Sequence, residues 1–427
     1  MKKIMLLGGN YYQMTATKAA KALGCHVISV DYLPDNPAHK FADEYHNVST
    51  TDRDAVLALA KKLKIDGIWT YASDVSAPTV AYVAEQLDLP TNPLSAVEIL
   101  THKDLMRDFL KQHGFNVPKA QGFTAYDAAL EFFQSLNKPA MVKPIDSSGS
   151  KGVTKVSRAE DFRAAYDSAM KYSASKKIIV EEFIQRKGYQ IAGDGFLVDG
   201  KLQFAGLMDE HFDKLCNPLV PIGESYPTTL DKNLQDKAKR EIQKFMQLLG
   251  MKTNAINLDF MFDENDNVYI LEIGPRNGGN LISDAIKAAC GVDLPKYTIK
   301  AALGMDCSDL EERPTKNPVS SYVIHSLADG IFESLRISDA LKDKIIRCDL
   351  FVEPGEKVYR FENGGFGIGA MLLKFDSVEE MNRCVDNMED YIECVTVPQR
   401  GGVLSSRYFC FAFQYRRRRP VLHLRLA

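Results

Sequence analysis

AINLDFMFDENDNVYILEIGPRNGGN, residues 255–280, sets two β-rich runs on either side of the turn formers Asp263-Glu264-Asn265-Asp266-Asn267. Apolar residues alternate with Asn257 and Asp259 before the turn, and Val268-Tyr269-Ile270-Leu271-Glu272-Ile273 follows it, so the stretch is expected to form a β-hairpin. Strand side chains repeat every second residue, which sets Asn257 and Asp259 on one face, and an antiparallel partner can bring Glu272 beside them. Carboxylates placed side by side in an apolar hairpin repel each other and lose hydration. A hard divalent cation, Mg²⁺ or Mn²⁺, relieves both costs; the alternative is a solvated hairpin face.

Outward from this hairpin, the chain has 427 residues, 45% hydrophobic and 26% charged, enough for two to four domains with real cores. A net charge of −3 gives no electrostatic case for nucleic acid. Neither an apolar run of membrane length nor a secretory leader is evident, so no membrane partner and a cytoplasmic location are expected. The 8 Cys include no CxxC pair, which argues for reduced thiols, and the absence of HExxH argues against zinc hydrolysis.

The start of the chain has a βαβ pattern: KIMLL at 3–7, the turn Gly8-Gly9-Asn10, a helical run stopped by Gly24, and HVISVD at 26–31. The turn lacks GxGxxG, although Asp31 ends the second strand where a dinucleotide-binding acid often lies. Scaffold and substrate binding through the Gly8-Gly9 and Ser73-Asp74 loops both remain open for this domain. Next comes a helical segment with Lys103, Arg107 and Leu110, and then the strand PAMVKP at 139–144, which carries Lys143. The loop Ser147-Ser148-Gly149-Ser150-Lys151-Gly152 has little bulk and many donors, so it can wrap phosphates while Lys103 and Lys143 supply charge; it is not a Walker motif, and an ordinary surface turn is the alternative. The strand KIIV at 177–180 runs into Glu181-Glu182-Phe183-Ile184, an exit that can offer a base edge a backbone donor, a backbone acceptor and a carboxylate.

Taken in order, Lys103, Lys143 with SSGSKG, VEEFI, Asp259, Glu272 and Arg276 resemble the ATP-grasp superfamily over roughly residues 3–305, nearest its carboxylate-amine ligases and biotin-carboxylase-like or carbamoyl-phosphate-synthase-like members. The resemblance implies ATP between two lobes. It assigns Lys103 and Lys143 to the phosphates, with the loop 147–152 (Ser147, Ser148, Gly149, Ser150, Gly152) closing over them, and it assigns Glu181 to the adenine amine with Glu182, Phe183 and Ile184 at the hinge. Asp259 and Glu272 would hold Mg²⁺ (or Mn²⁺), while Arg276, with Lys143, would steady an anionic substrate or acyl phosphate.

The sequence departs from the family at two places. Gly274 stands where many relatives carry a metal-binding Asn, so Asn280 is expected either to replace that ligand or to cap the following helix. Gly188 and Tyr189 occupy the region of the usual ribose carboxylate, leaving that contact unassigned. Asp209, Glu210 and His211 are expected to be a solvated charge run, with an acceptor-facing role as the alternative. The short strands after Arg313-Pro314 resemble the C-terminal lid of amino-acid ligases and carboxylases in the superfamily.

The expected fold is mixed α/β and α+β: a Rossmann-like domain (1–95), a two-lobed ATP-grasp domain (96–312, divided into 96–185 and 186–312), a small C-terminal α+β domain (313–397) and a basic tail (398–427). The expected function is that of an ATP-dependent ligase joining a small-molecule carboxylate to an amine through an acyl phosphate, with a homodimer left open. A bicarbonate-using carboxylase or carbamoyl-phosphate-synthase-like enzyme, a non-catalytic ATP-binding module and, on the first domain alone, a nicotinamide-dependent oxidoreductase are the alternatives.

Overall fold

The computed structural model describes residues 1–398, so nearly all of the expected basic tail lies outside the described residues. At the start of the chain, strands Glu44–His46, His26–Val30, Lys3–Leu7 and Gly67–Thr70 lie side by side in that order, every pairing parallel. The two strands at the centre, His26–Val30 and Lys3–Leu7, are buried along almost their whole length, as suits a parallel sheet covered on both faces. This is the expected Rossmann-like arrangement. At Gly8 (φ +99°) a Cβ would lie 2.0 Å from the Gln13 amide nitrogen, so only glycine lets the first turn close on the helix Met14–Ala22. Asp31 accepts from the Gly9 N–H at 2.9 Å, the Asn36 side chain at 2.8 Å and the Leu33 N–H at 3.0 Å. Its carboxylate ties that loop together.

A second sheet, antiparallel, orders Ala120–Phe123, Ile178–Glu182, Ala140–Pro144 and Thr154–Val156. Helices Tyr126–Leu136 and Ala159–Tyr172 pack on it through Phe133 and Phe162, which share a core with Val142 and Val180. Strand alternation then turns Lys143 and Glu181 to the opposite face.

The third sheet has eight strands in the order Val268–Gly274, Asn254–Phe262, Gln190–Val198, Lys201–Phe212, Pro221–Tyr226, Val319–Ile324, Gly369–Lys374 and Ile345–Leu350. The amphipathic helix Lys232–Leu248 buries Ile242, Phe245 and Met246 in a core with Ile256, Leu258 and Phe260, leaving Asn257 and Asp259 on the other face. Helices Ile282–Cys290 and Leu294–Ala302 join that face to the parallel sheet, with Phe196, Phe204 and Ile286 in one core with Ile4 and Met5.

Three expectations change here. The segment 313–397 does not stand apart: three of its strands extend the large sheet, because Val319–Ile324 pairs with the free edge of Pro221–Tyr226. The boundary at 95 falls inside the helix Leu94–Thr101, whose Ala96 and Leu100 pack in the core of the large lobe. Asp209, Glu210 and His211 are buried, not solvated, because their strand is interior to the sheet. Each has a partner: Asp209 accepts from Thr228, Thr229 and Asn382, Glu210 from Gln190, and His211 lies 2.8 Å from both Asp386 and Ser225.

Candidate ATP and metal site

Asp259 and Glu272 are direct cross-strand partners, with a bulge immediately after Asp259. Burial, and then the charge of Glu272, pushes the Asp259 carboxyl up to about 7. Gln190 bridges outward from the pair, donating at 2.7 Å to Asp259 and at 2.7 Å to Glu210. Burial, then the charges of Asp259 and Glu224, also raises the Glu210 carboxyl. Among the described residues no group of three or more His, Cys, Asp or Glu side chains is arranged to hold a metal ion. Two opposed carboxylates nevertheless fit Mg²⁺, which takes one or two carboxylates and completes its shell with water and substrate phosphates.

Lys143 comes from the small antiparallel sheet, whereas Lys103 and Arg107 come from a helix whose Met106 and Leu110 pack in the core of the large lobe. Lys103 begins the helix Lys103–Gln112; its Nζ lies 3.2 Å from Glu272 and donates to the Ser147 carbonyl at 2.8 Å. One helical turn later Arg107, 3% exposed, donates to the carbonyls of Ile270 at 3.1 Å and Leu271 at 2.8 Å, and its Nε lies 2.8 Å from Glu181. The other Glu181 oxygen lies 2.6 Å from Lys143 Nζ. Burial alone would raise the Glu181 carboxyl, but the charges of Arg107 and Lys143 overcome it and hold the group at about 2. Burial lowers Lys143, with Glu181 opposing.

These contacts revise the expected hinge. Both oxygens of Glu181 are engaged by cations, one by Arg107 and the other by Lys143, so the carboxylate is not a free acceptor in this structure. Glu182 points to the surface, where it pairs with Lys138. The Phe183 N–H donates to Pro139 at 2.9 Å and its ring lies under Lys155 Nζ at 3.5 Å, while Ile184 is half-buried beside it. In the loop 147–152 Ser148 and Ser150 are half-buried, Gly149 and Gly152 take positive φ, and the Gly149 carbonyl accepts from Gly364 at 3.0 Å. Tyr189 turns its hydroxyl to Asp386 at 2.5 Å.

Arg276 and Asn280 also find unexpected partners. The Arg276 guanidinium forks onto Asp74 of the parallel-sheet domain, with Nε to Oδ1 at 2.8 Å and Nη2 to Oδ2. This pair explains Gly274: a Cβ there would meet Arg276 Cζ at 3.0 Å and Asp74 Oδ1 at 3.1 Å. Asn280 donates to Glu224 at 3.2 Å and makes no cap, since helix Ile282–Cys290 begins after Leu281 without a side-chain cap bond. The expected cap therefore gives way to a contact between the Asn280 amide N–H and the buried Glu224, whose carboxyl burial pushes up to about 7. Sequence reasoning assigned no site role to Arg107, Gln190 or Glu224. Only Arg107 left a usable signal, its four-residue spacing from Lys103 on one helix face.

An ATP-grasp domain model matches residues 136–284, and an ATP-grasp N-terminal domain model matches residues 17–91. The chain belongs to the ATP-grasp superfamily. This ATP-grasp protein is 25% identical over 393 residues to the formate-dependent phosphoribosylglycinamide formyltransferase of Methanocaldococcus jannaschii, covering 88% of this chain and 93% of that one. Among solved structures it resembles the L-amino acid ligase of Bacillus licheniformis, with TM-score 0.79, 20% identity, and 93% and 99% of the two chains covered. It also resembles the N5-carboxyaminoimidazole synthetase of Staphylococcus aureus complexed with ADP, with TM-score 0.71, 17% identity, and 90% and 95% covered. At these identities the structural likeness establishes the fold. The ATP-grasp enzymes related to this chain are ATP-dependent ligases.

Proposed function

We propose that this protein is an ATP- and magnesium-dependent ligase that activates a small-molecule carboxylate as an acyl phosphate and passes it to an amine. The observation that carries the reading is the opposed carboxylate pair Asp259 and Glu272 with Lys103 on Glu272 and the charge of Lys143 acting on Asp259. Lys103, Lys143 and Arg107 outnumber Glu181 and Glu272 by one positive charge, which suits a polyphosphate once a cation offsets Asp259.

A carboxylate is a poor electrophile because its charge repels nucleophiles and oxide leaves badly. Transfer of the γ-phosphate to it creates a leaving group; the amine then attacks the carbonyl carbon and phosphate departs. The chain supplies positioning and charge. Lys103 and Lys143 neutralise phosphate oxygens as the group moves, Glu181 keeps Lys143 aimed, and Arg276 anchors the acid substrate. Mg²⁺ bound by Asp259 and Glu272 would shield the β- and γ-phosphates during transfer.

Hydroxylamine is expected to trap an ATP-dependent hydroxamate when the correct acid is supplied without the amine. An acid that supports ADP release yet gives neither hydroxamate nor transfer of carboxylate oxygen to phosphate refutes the acyl phosphate. Asp259→Asn and Glu272→Gln are expected to remain folded and lose at least ~100-fold in ADP release, the scale for removal of one electrostatic stabiliser. Near-normal turnover over a magnesium titration of both variants removes the metal assignment.

A further inference from the structure

The Asp74–Arg276 pair joins the parallel-sheet domain to the large lobe, two parts of the chain that share one core. Asp74 follows the strand Gly67–Thr70 of the parallel sheet, at the end where open α/β sheets hold ligands, and Arg276 follows the metal hairpin strand Val268–Gly274. Their side chains are 13% and 9% exposed. The third guanidinium nitrogen of Arg276 donates to the Asn277 carbonyl at 3.0 Å, and a backbone bond of 3.2 Å from Ala72 to Asn277 holds the two loops together.

Both loops carry backbone strain where they meet. Ala72, two residues before Asp74, has φ +53°, and Asn280 and Leu281 follow Arg276 at +50° and +62°. Residues with a Cβ avoid this region unless the surroundings impose it, and such strain gathers at ligand sites. A Cβ on Gly279 would stand 3.7 Å from Ala72 Cβ and 3.8 Å from the Tyr12 ring, so the two strained turns face each other at van der Waals distance.

A simple carboxylate reaching the Arg276 fork must displace Asp74 and leave that carboxylate nearly buried without a counter-charge, a penalty that offsets the new pair. A ligand with an ammonium beside its carboxylate exchanges one ion pair for two: its carboxylate takes Arg276 and its ammonium takes Asp74. We infer that Asp74 receives the ammonium of an α-amino acid whose carboxylate Arg276 holds, so that the acid substrate is an amino acid. The inference rests on the ligase reading for Arg276 and adds the specificity residue and the substrate class.

The test measures ADP release with MgATP and each of the twenty proteinogenic L-amino acids. For the best three, their deaminated and 2-hydroxy counterparts are then compared, each with a hydroxylamine trap. The wild-type protein is expected to favour amino acids by at least ~100-fold in kcat/KM, since a site built around a polar partner rejects the analogue that lacks it. Asp74→Asn, with its fold checked by circular dichroism, is expected to bring that ratio below ~10, and Asp74→Glu to restore part of it. Deaminated acids used within ~10-fold of amino acids by the wild type, or undiminished selectivity in Asp74→Asn, overturn the inference. If deaminated acids give hydroxamates and amino acids do not, only this inference falls; if no acid gives ADP or hydroxamate, the ligase reading falls with it. Should Asp74→Asn fail to fold, the wild-type ratio and Asp74→Glu decide.

Discussion

Replacing Glu181 with Gln keeps the size of the side chain and removes the one carboxylate between Arg107 and Lys143, 2.8 Å from the first and 2.6 Å from the second. The carboxyl sits at about 2 in the folded protein against an ordinary 4.5, which corresponds to roughly 3 kcal/mol of stabilisation by its ionised form. That agrees with the ~3–5 kcal/mol expected when a buried ion pair loses one partner. Because the folded value is depressed, the contribution is fully present above 4.5 and is lost as pH falls from there towards about 2. Glu181→Gln is therefore expected to be about 3 kcal/mol less stable at pH 7, with more than half of that gap gone by pH 3, as the wild-type carboxylate protonates. Urea unfolding reports the global change. Hydrogen exchange of peptides covering Ala140–Pro144 and Ile178–Glu182 reports whether the loss is centred on the small lobe. A gap under ~1 kcal/mol at pH 7, or one that persists undiminished at pH 3, refutes the role given to this triad.

Two further substitutions separate contacts that sequence reasoning left merged. Asn280→Ala removes a 3.2 Å bond to Glu224, and if that contact is the whole role of the side chain the magnesium dependence of ADP release is expected to be unchanged while stability falls by about 1 kcal/mol; a raised magnesium requirement would instead mark Asn280 as a ligand. Gly274→Ala drives a methyl against Arg276 Cζ at 3.0 Å and Asp74 Oδ1 at 3.1 Å, and is expected to cost about 1–3 kcal/mol and to raise the KM for the acid substrate. An unaltered KM would show that the Arg276–Asp74 pair lies away from the acid.

Periodicity and order along the chain determined the elements and the family. Apolar runs broken by glycine predicted the parallel sheet, alternation predicted the hairpin, and the two-residue strand repeat brought Glu272 beside Asp259. Those features are local: each depends on residues within one strand, one turn or one hairpin. Partner choice across the fold is not local, and there the tertiary structure decided. Glu181 looked like a free hinge acid because Arg107, 74 positions earlier in the sequence, gives no sign that it will arrive beside it. Asp209, Glu210 and His211 looked solvated because only the sheet order shows their strand to be interior. Gly274 looked like a missing ligand because the space it leaves is filled by a carboxylate 200 residues away, and that distance along the chain is closed only when the two domains share one core. A charged side chain reveals in sequence that it needs a partner; which partner it gets depends on long-range packing, which local pattern does not encode.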